Sequence, residues 1–109
     1  MNSKHRPEPG FYYHYKHNPA ESINNYAYRV FGVTWFTEEC DPNIKYMVAY
    51  RPIYDTANVY KDGKINYARP LSMFMDEVTK DGKTVKRFTK ITDPNIIEQL
   101  KEIEKELYK

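Results

Sequence analysis

Cysteine, glycine, net charge and long apolar runs are all scarce in this sequence, and each shortage excludes a class of protein. One cysteine, Cys40, excludes an intrachain disulfide framework, and its acidic neighbours disfavour the thiolate, which makes it a poor nucleophile. Four glycines, all at apparent turns or bends, provide no glycine-rich phosphate loop. A net charge of +2 with mixed signs gives no concentrated basic face for nucleic acid. No apolar run reaches membrane-spanning length and no signal-peptide core is present, so we expect a cytoplasmic protein without a membrane partner.

Aromatic residues are abundant instead, with 11 tyrosines among 109 residues. Tyrosine favours strands, and it can bury its ring while its hydroxyl stays in water. Period-two patterns and turn residues predict strands over residues 10–16, 26–37, 46–54, 65–69, 77–80 and 84–91, with a short strand near residues 59–60. The second of these has no clearly polar face, which predicts a central strand, bent at Gly32, with Val30 and Val33 on opposite faces.

Two Asp-Gly pairs, Asp62-Gly63 and Asp81-Gly82, predict tight hairpin turns. Residues 38–45, which contain Asp41-Pro42-Asn43, predict a further turn. Short strands separated by such turns predict a mainly β protein, built as a small, strongly twisted sheet or a partly open barrel. We divide the chain into a mobile N-terminal arm (residues 1–9), a β domain (10–91) and a C-terminal helix (92–109).

The C-terminal segment has the pattern of an amphipathic helix. Asp93 is a good N-cap and Pro94 a good first helical residue. The apolar residues that follow recur at helical spacing: Ile96, Ile97, Leu100, Ile103 and Leu107. We expect this stripe to cover the sheet of its own chain, and the alternative is a homodimer formed through the helix.

The six residues from Arg69 to Phe74 mark the exit from the β strands. Pro70 restricts its own backbone and pushes Arg69 towards an extended conformation, so we expect a strand to end here. A single helical turn would then place Leu71 and Phe74 on one side, as a plug at the end of the sheet. Arg69 would lie at the rim, where it either pairs with an acidic residue of its own chain or reaches a ligand's carboxylate, phosphate or carbonyl.

Four motifs in the chain resemble a bacterial family of domains of unknown function, number sixteen fifty-three in its series. They are His14-Tyr15-Lys16, Tyr50-Arg51-Pro52-Ile53-Tyr54, the stretch Arg69 to Phe74, and the stretch Asp81 to Phe88. The resemblance runs from about Gly10 to Ile91 and implies an all-β core similar to SH3-like barrels. The chain departs from the family pattern by an insertion over residues 17–27, and the resemblance implies no established activity.

Catalytic and metal-binding patterns are weak. His14 and His17 are three residues apart, which in a strand places them on opposite faces, so we expect neither a metal site nor a cofactor. His14 could act as a general base with Glu38 or Glu39 orienting it, on a nucleotide-like or sugar-like substrate. This enzyme hypothesis is our second choice, because nothing in the spacing requires it.

Binding has more support than catalysis. Five aromatic residues could form a floor with four basic residues at its margin: Tyr13, Tyr15, Tyr50, Tyr54 and Phe74, with His14, Lys16, Arg51 and Arg69. Such a surface suits a small molecule, a peptide or protein partner, or, as a third hypothesis, single-stranded nucleic acid held weakly. The alternative is that many of these rings are simply the core of a small barrel.

Overall fold

The computed structural model describes residues 6–37, 45–54 and 66–108 of the chain. Seven strands and two helices form within these residues: β1 (Gly10–His14), β2 (Ala27–Trp35), β3 (Tyr46–Pro52), β4 (Tyr67–Pro70), α1 (Leu71–Phe74), β5 (Glu77–Lys80), β6 (Lys83–Lys86), β7 (Phe88–Lys90) and α2 (Pro94–Leu107). The turn expected at residues 38–45, the strand near residues 59–60 and the turn at Asp62-Gly63 lie largely or wholly outside the described residues.

Five strands form one antiparallel sheet in the order β4-β3-β2-β1-β7, with β2 in the centre as its sequence predicted. The sheet is twisted and does not close, since β4 and β7 are its two edges. Strands β5 and β6 form a separate hairpin. Its turn residues Asp81 and Gly82 both have positive φ, which explains why this Asp-Gly pair specifies the turn. The mainly β fold with a C-terminal helix is therefore confirmed, while an SH3-like arrangement stays a prediction.

A bulge in the central strand changes which side chains share a face. The pairing of β2 with β3 shifts between Val30 and Gly32, and Gly32 has a φ of 140°. The bend predicted at Gly32 is thus present, but the extra residue inverts the alternation beyond it. Val33 packs against the same buried cluster as Val30, so the prediction that the two lie on opposite faces is wrong.

The strand predicted over residues 84–91 is two strands. β6 pairs with β5 and β7 pairs with β1, and the chain changes partner at Arg87. The Arg87 backbone N–H donates to the Asp76 carbonyl at 2.9 Å, and its carbonyl accepts from the Tyr15 N–H at 2.8 Å. This crossing residue joins the hairpin to the main sheet, a long-range pairing that local periodicity does not reveal.

The sheet has a buried cluster on each face. We call the first the tyrosine face; its buried residues are Tyr12, Val30, Val48, Tyr50, Phe74 and Phe88, with Tyr28, Val33, Tyr67 and Leu71 packed against them. The second, the helix face, is covered by α2; its buried residues are Phe11, Ala27, Ile53, Ile91 and Leu100. The single helical turn predicted for Leu71 and Phe74 is present as α1, and both residues pack on the tyrosine face; a plug at the end of the sheet stays a prediction.

Helix α2 begins as the sequence predicted. The Asp93 side chain accepts a hydrogen bond from the Asn95 backbone N–H at 2.9 Å, and Pro94 follows as the first helical residue. Leu100 is fully buried, and Ile96, Ile97 and Ile103 pack beside it against the helix-face cluster. The stripe therefore covers the sheet of its own chain, and a dimer formed through α2 would have to use its outer face.

An ion cluster that the sequence did not reveal holds α2 to the sheet. Glu104 is only 7% exposed, and its carboxylate accepts hydrogen bonds from both Arg29 and Arg51, with the shortest contact to each at 2.8 Å. Burial alone would raise the pKa of Glu104. The hydrogen bonds and charges of the two arginines outweigh burial, so the pKa lies below its ordinary value.

The end of the predicted N-terminal arm lies against the sheet rather than free of it. Pro7 is buried, the Tyr12 hydroxyl donates to the Glu8 carbonyl at 2.9 Å, and the Glu8 carboxylate pairs with Lys90 at 3.0 Å. These contacts place residues 6–9 over the edge of the tyrosine face.

Candidate ligand-binding site

The tyrosine face carries a continuous cluster of aromatic rings. Phe88 is at its centre, stacked on Phe74 with ring centroids 4.2 Å apart and in edge-to-face contact with His14, Tyr28 and Tyr50. Edge-to-face pairs of this kind are favourable because a positive ring edge meets a negative ring face. The cluster therefore forms a rigid apolar support beneath the more exposed residues at its margin.

Arg69 lies on this support. It pairs across the sheet with buried Val48, which directs its side chain to the tyrosine face. Its guanidinium carbon is 5.7 Å from the centre of the Phe88 ring, and its Nε donates to the Tyr50 hydroxyl at 3.3 Å. Of the ion pairs formed among residues 6–37, 45–54 and 66–108, none includes Arg69. Arg69 is thus half-buried, and among the described residues its guanidinium contacts only an aromatic ring and a hydroxyl group.

His14 lies at the end of β1, surrounded by rings and cations. Its pKa is lowered to about 4, first by burial and then by the charges of Arg69, Arg87 and Lys16. Its Nδ1 accepts a hydrogen bond from the Lys16 backbone N–H at 3.2 Å. A neutral imidazole that accepts at Nδ1 carries its proton on Nε2, so His14 presents an N–H donor at neutral pH.

Two tyrosine hydroxyls meet beside His14. The hydroxyls of Tyr28 and Tyr54 are 2.6 Å apart, and the Tyr28 ring also contacts His14. Burial raises the pKa of Tyr28, and the bond to Tyr54 raises it further; burial likewise raises the pKa of Tyr54. Both phenols therefore stay protonated and neutral over the physiological range.

Arg87 is a site residue that we did not select from the sequence. Its Nε is buried and has no hydrogen-bond partner among the residues that the structure describes. A buried donor without an acceptor is unusual and costs about 1–3 kcal/mol in desolvation, more for a charged group. The available signal was its place in the stretch Asp81 to Phe88, directly before the central Phe88.

The insertion over residues 17–27 adds one ring to the site. It is held by hydrogen bonds around Asn18 and Asn25, including Asn18 N–H to Asn25 Oδ1 at 2.9 Å. Near its end is Tyr26, which has a φ of 52°, unusual for a non-glycine residue. The Tyr26 ring is 37% exposed and lies 5.6 Å from the His14 ring and 5.7 Å from the Tyr54 ring, measured between centroids.

The structure brings together only part of the predicted binding set. His14, Tyr50, Tyr54, Arg69 and Phe74 share the tyrosine face, with half-buried Tyr15 beside His14 at 4.5 Å between centroids and Lys16 exposed next to it.

Tyr13 and Arg51 are on the helix face instead. Tyr13 stacks on His17 at 3.6 Å, and Arg51 binds Glu104 and lies 3.8 Å from the Tyr108 ring centre. Because neighbouring residues in a strand point to opposite faces, Tyr13 cannot join His14, nor Arg51 join Tyr50. Glu38 and Glu39, the carboxylates considered for catalysis, lie outside the described residues.

A concavity lies at the β7 edge, and its lining does not include Arg69 or His14. It measures about 200 Å³ and is bordered by Arg6, Pro7, Met75, Lys86 and Lys90, and it shares Phe74 and Phe88 with the aromatic support. Its basic rim makes it the natural competing location for a ligand.

Among the described residues, no three His, Cys, Asp or Glu side chains come together as a possible metal site. No helix there is both long and apolar enough to cross a membrane. The cytoplasmic location stays a prediction.

Comparison with known proteins identifies a family but no individual related protein. The family model described as "Protein of unknown function (DUF1653)" matches residues 10–90, which includes every strand and excludes α2. A search of curated proteins and a search of solved structures found no match.

Proposed function

The chain belongs to the DUF1653 family, and we propose that it is a binding module whose ligand site is the exposed margin of the tyrosine face, around Arg69. The observation that carries this proposal is the position of Arg69. Its guanidinium rests on the aromatic support without a carboxylate partner among the described residues. A purely structural arginine is normally paired, as Arg29 and Arg51 are on the helix face.

The surroundings of Arg69 suit recognition of a small, partly planar ligand. Tyr26 is exposed and Tyr54 and Tyr67 are half-buried. The Tyr67 ring lies 5.7 Å from the ring of Tyr50, whose hydroxyl binds Arg69. Sites of this kind combine apolar contact area with a few fixed polar groups that orient the ligand. Because the rings beneath them are already packed, binding would order few further side chains, and its conformational entropy cost would be small.

A catalytic role for His14 has less support. A general base works best when its pKa is near the working pH, and burial and three cations hold the pKa of His14 near 4. A histidine base is also commonly oriented by a carboxylate, whereas Nδ1 of His14 contacts the Lys16 backbone. We therefore favour binding over the enzyme alternative.

The test is NMR mapping with four small aromatic probes: phenyl phosphate, benzoate, benzamide and benzylammonium. We expect at least one probe to give saturable shifts in the backbone amides of Tyr26, Tyr28, Tyr54 and Arg69, since these residues border the site. The substitution Arg69→Gln should abolish or strongly weaken those shifts, while the far-ultraviolet circular dichroism spectrum stays that of the wild type.

Lys83→Gln is the matched control, because Lys83 is an exposed cation of the separate β5–β6 hairpin. It removes the same charge and should leave probe binding unchanged. Saturable shifts confined to the concavity of Arg6 and Lys86, or equal binding by wild type and Arg69→Gln, would contradict the proposed site. A single-stranded thymidine octamer that binds in place of all four probes, with affinity falling steeply with salt, would favour the nucleic-acid alternative.

A further inference from the structure

We infer that the ligand group recognised at this site is a small oxyanion, a phosphate monoester or a carboxylate, held between Arg69, Arg87 and His14. This inference rests on the proposed function and specifies the chemistry of its ligand.

The site has an excess of hydrogen-bond donors. The Nε of Arg69 donates to the Tyr50 hydroxyl. Within residues 6–37, 45–54 and 66–108, neither the Nε of Arg87 nor the Nε2–H of His14 has a hydrogen-bond acceptor. An arginine carries five N–H donors and no acceptor, so two of them beside a histidine donor need an acceptor-rich partner.

The acceptors nearby are already engaged. The Tyr50 hydroxyl accepts from Arg69, and the hydroxyls of Tyr28 and Tyr54 bond to each other. The charges acting on His14 are all positive, from Arg69, Arg87 and Lys16. The chain therefore leaves a locally positive, donor-rich position that its own described carboxylates do not neutralise.

Phosphate and carboxylate oxygens match this position. They accept several hydrogen bonds at once, and they bind guanidinium groups with paired, charge-assisted bonds. His14 adds a neutral donor, so it can bind an oxyanion without itself changing charge over the physiological range. The adjacent ring faces of Tyr26 and Tyr54 would then contact whatever planar group carries the oxyanion.

Two of the three donor residues, His14 and Arg69, contact the Phe88 ring. The His14 ring is 5.1 Å from the Phe88 ring between centroids, and the Arg69 guanidinium carbon is 5.7 Å from the same ring centre. Arg87 immediately precedes Phe88 in the chain, and its carbonyl is bonded to Tyr15 beside His14. His14 and Arg69 thus lie around one aromatic ring, and Arg87 is close enough for its charge to act on His14.

The experiment compares matched probes that differ in charge. Phenyl phosphate and benzoate should bind and shift the backbone amide signals of Tyr54, Arg69 and Arg87. Benzamide has the same size as benzoate but no charge, and it should bind at least about tenfold more weakly, because a charge-assisted hydrogen bond is stronger than a neutral one. A tighter interaction with phenyl phosphate than with benzoate would assign the group as phosphate, and the reverse order would assign it as carboxylate.

Arg87→Gln is the decisive variant, with Arg87→Lys to retain the charge and Lys83→Gln as the control. Loss of the Arg87 guanidinium should weaken the oxyanion probes by about tenfold to hundredfold without affecting benzamide. Arg87→Lys should recover only part of that loss, because an ammonium cannot reproduce the forked donor geometry. If Arg87→Gln does not fold, the ratio of benzoate to benzamide affinity in the wild type still decides whether the site recognises an oxyanion.

The possible failures are distinguishable. Benzamide binding as tightly as benzoate at Tyr54 and Arg69 would overturn the oxyanion inference and leave the binding module intact. No saturable shift at those residues with any probe would overturn both proposals.

Discussion

Replacing Glu104 by glutamine should weaken the attachment of helix α2 to the sheet, because this one carboxylate binds two arginines. Glu104 accepts hydrogen bonds from Arg29 and Arg51 and is almost completely buried, while the side chains of Arg29 and Arg51 are 30% and 23% exposed. Removing one partner of a buried ion pair costs about 3–5 kcal/mol, since the other charge is left uncompensated. The partial exposure of the arginines lets water replace some of that loss, so we expect about 2–3 kcal/mol for Glu104→Gln.

Such a loss is large for a domain of this size. Domains are stable by about 5–15 kcal/mol, and each 1 kcal/mol lowers the Tm of a domain of about 100 residues by roughly 4–8 °C. Glu104→Gln should therefore lower the Tm by about 10–20 °C, as measured by circular dichroism, and shift the urea midpoint in the same sense.

Glu102→Gln is the control for this measurement. Glu102 is on the same helix and pairs with Lys105 at 3.3 Å, but its side chain is 69% exposed. Exposed pairs contribute about 0–1 kcal/mol, so Glu102→Gln should be close to wild type. If Glu104→Gln is no more destabilising than Glu102→Gln, the ion cluster does not hold the helix and our account of the helix face is wrong.

Two further predictions concern the tyrosine face. The imidazole C–H signals of His14 should titrate with a midpoint near pH 4. The free energy of unfolding should fall as the pH drops from about 6.5 towards 4, because the unfolded chain takes up the proton first. A midpoint near 6.5 in the folded protein would contradict the surroundings we describe. Phe74→Ala should lower the free energy of unfolding by about 3–5 kcal/mol, because a large side chain is removed from a packed core, whereas Met73→Ala, at an exposed neighbour, should have little effect in the same urea titration.

The sequence predicted the features that depend on local chemistry. Asp93 and Pro94 start a helix through a side-chain hydrogen bond and a fixed φ, both determined within a few residues. Asp81-Gly82 makes a hairpin because those two residues tolerate positive φ. Pro70 ends a strand and Phe74 is buried by one helical turn, again through near neighbours.

The candidate site was only partly predictable, because two-residue periodicity is a local rule. This rule places Tyr13 and His14 on opposite faces once the strand is known, but the predicted binding surface was chosen by residue type and included both. The bulge at Gly32 then inverted the pattern for Val33. No periodic signal identified Arg87, which joins the site because the chain changes strand partner there.

By itself, the sequence determined where most of the described strands, the Asp81-Gly82 hairpin and the C-terminal helix lie, and that the strands would be rich in tyrosine. Only the tertiary structure decided the role of each charge. Arg51 and Arg69 both lie in strands close to tyrosines, yet Arg51 binds Glu104, 53 residues away in the chain, whereas Arg69 contacts the Tyr50 hydroxyl and the Phe88 ring. That difference depends on which face each strand presents to α2, and packing between distant segments settles it rather than any property of the neighbouring residues.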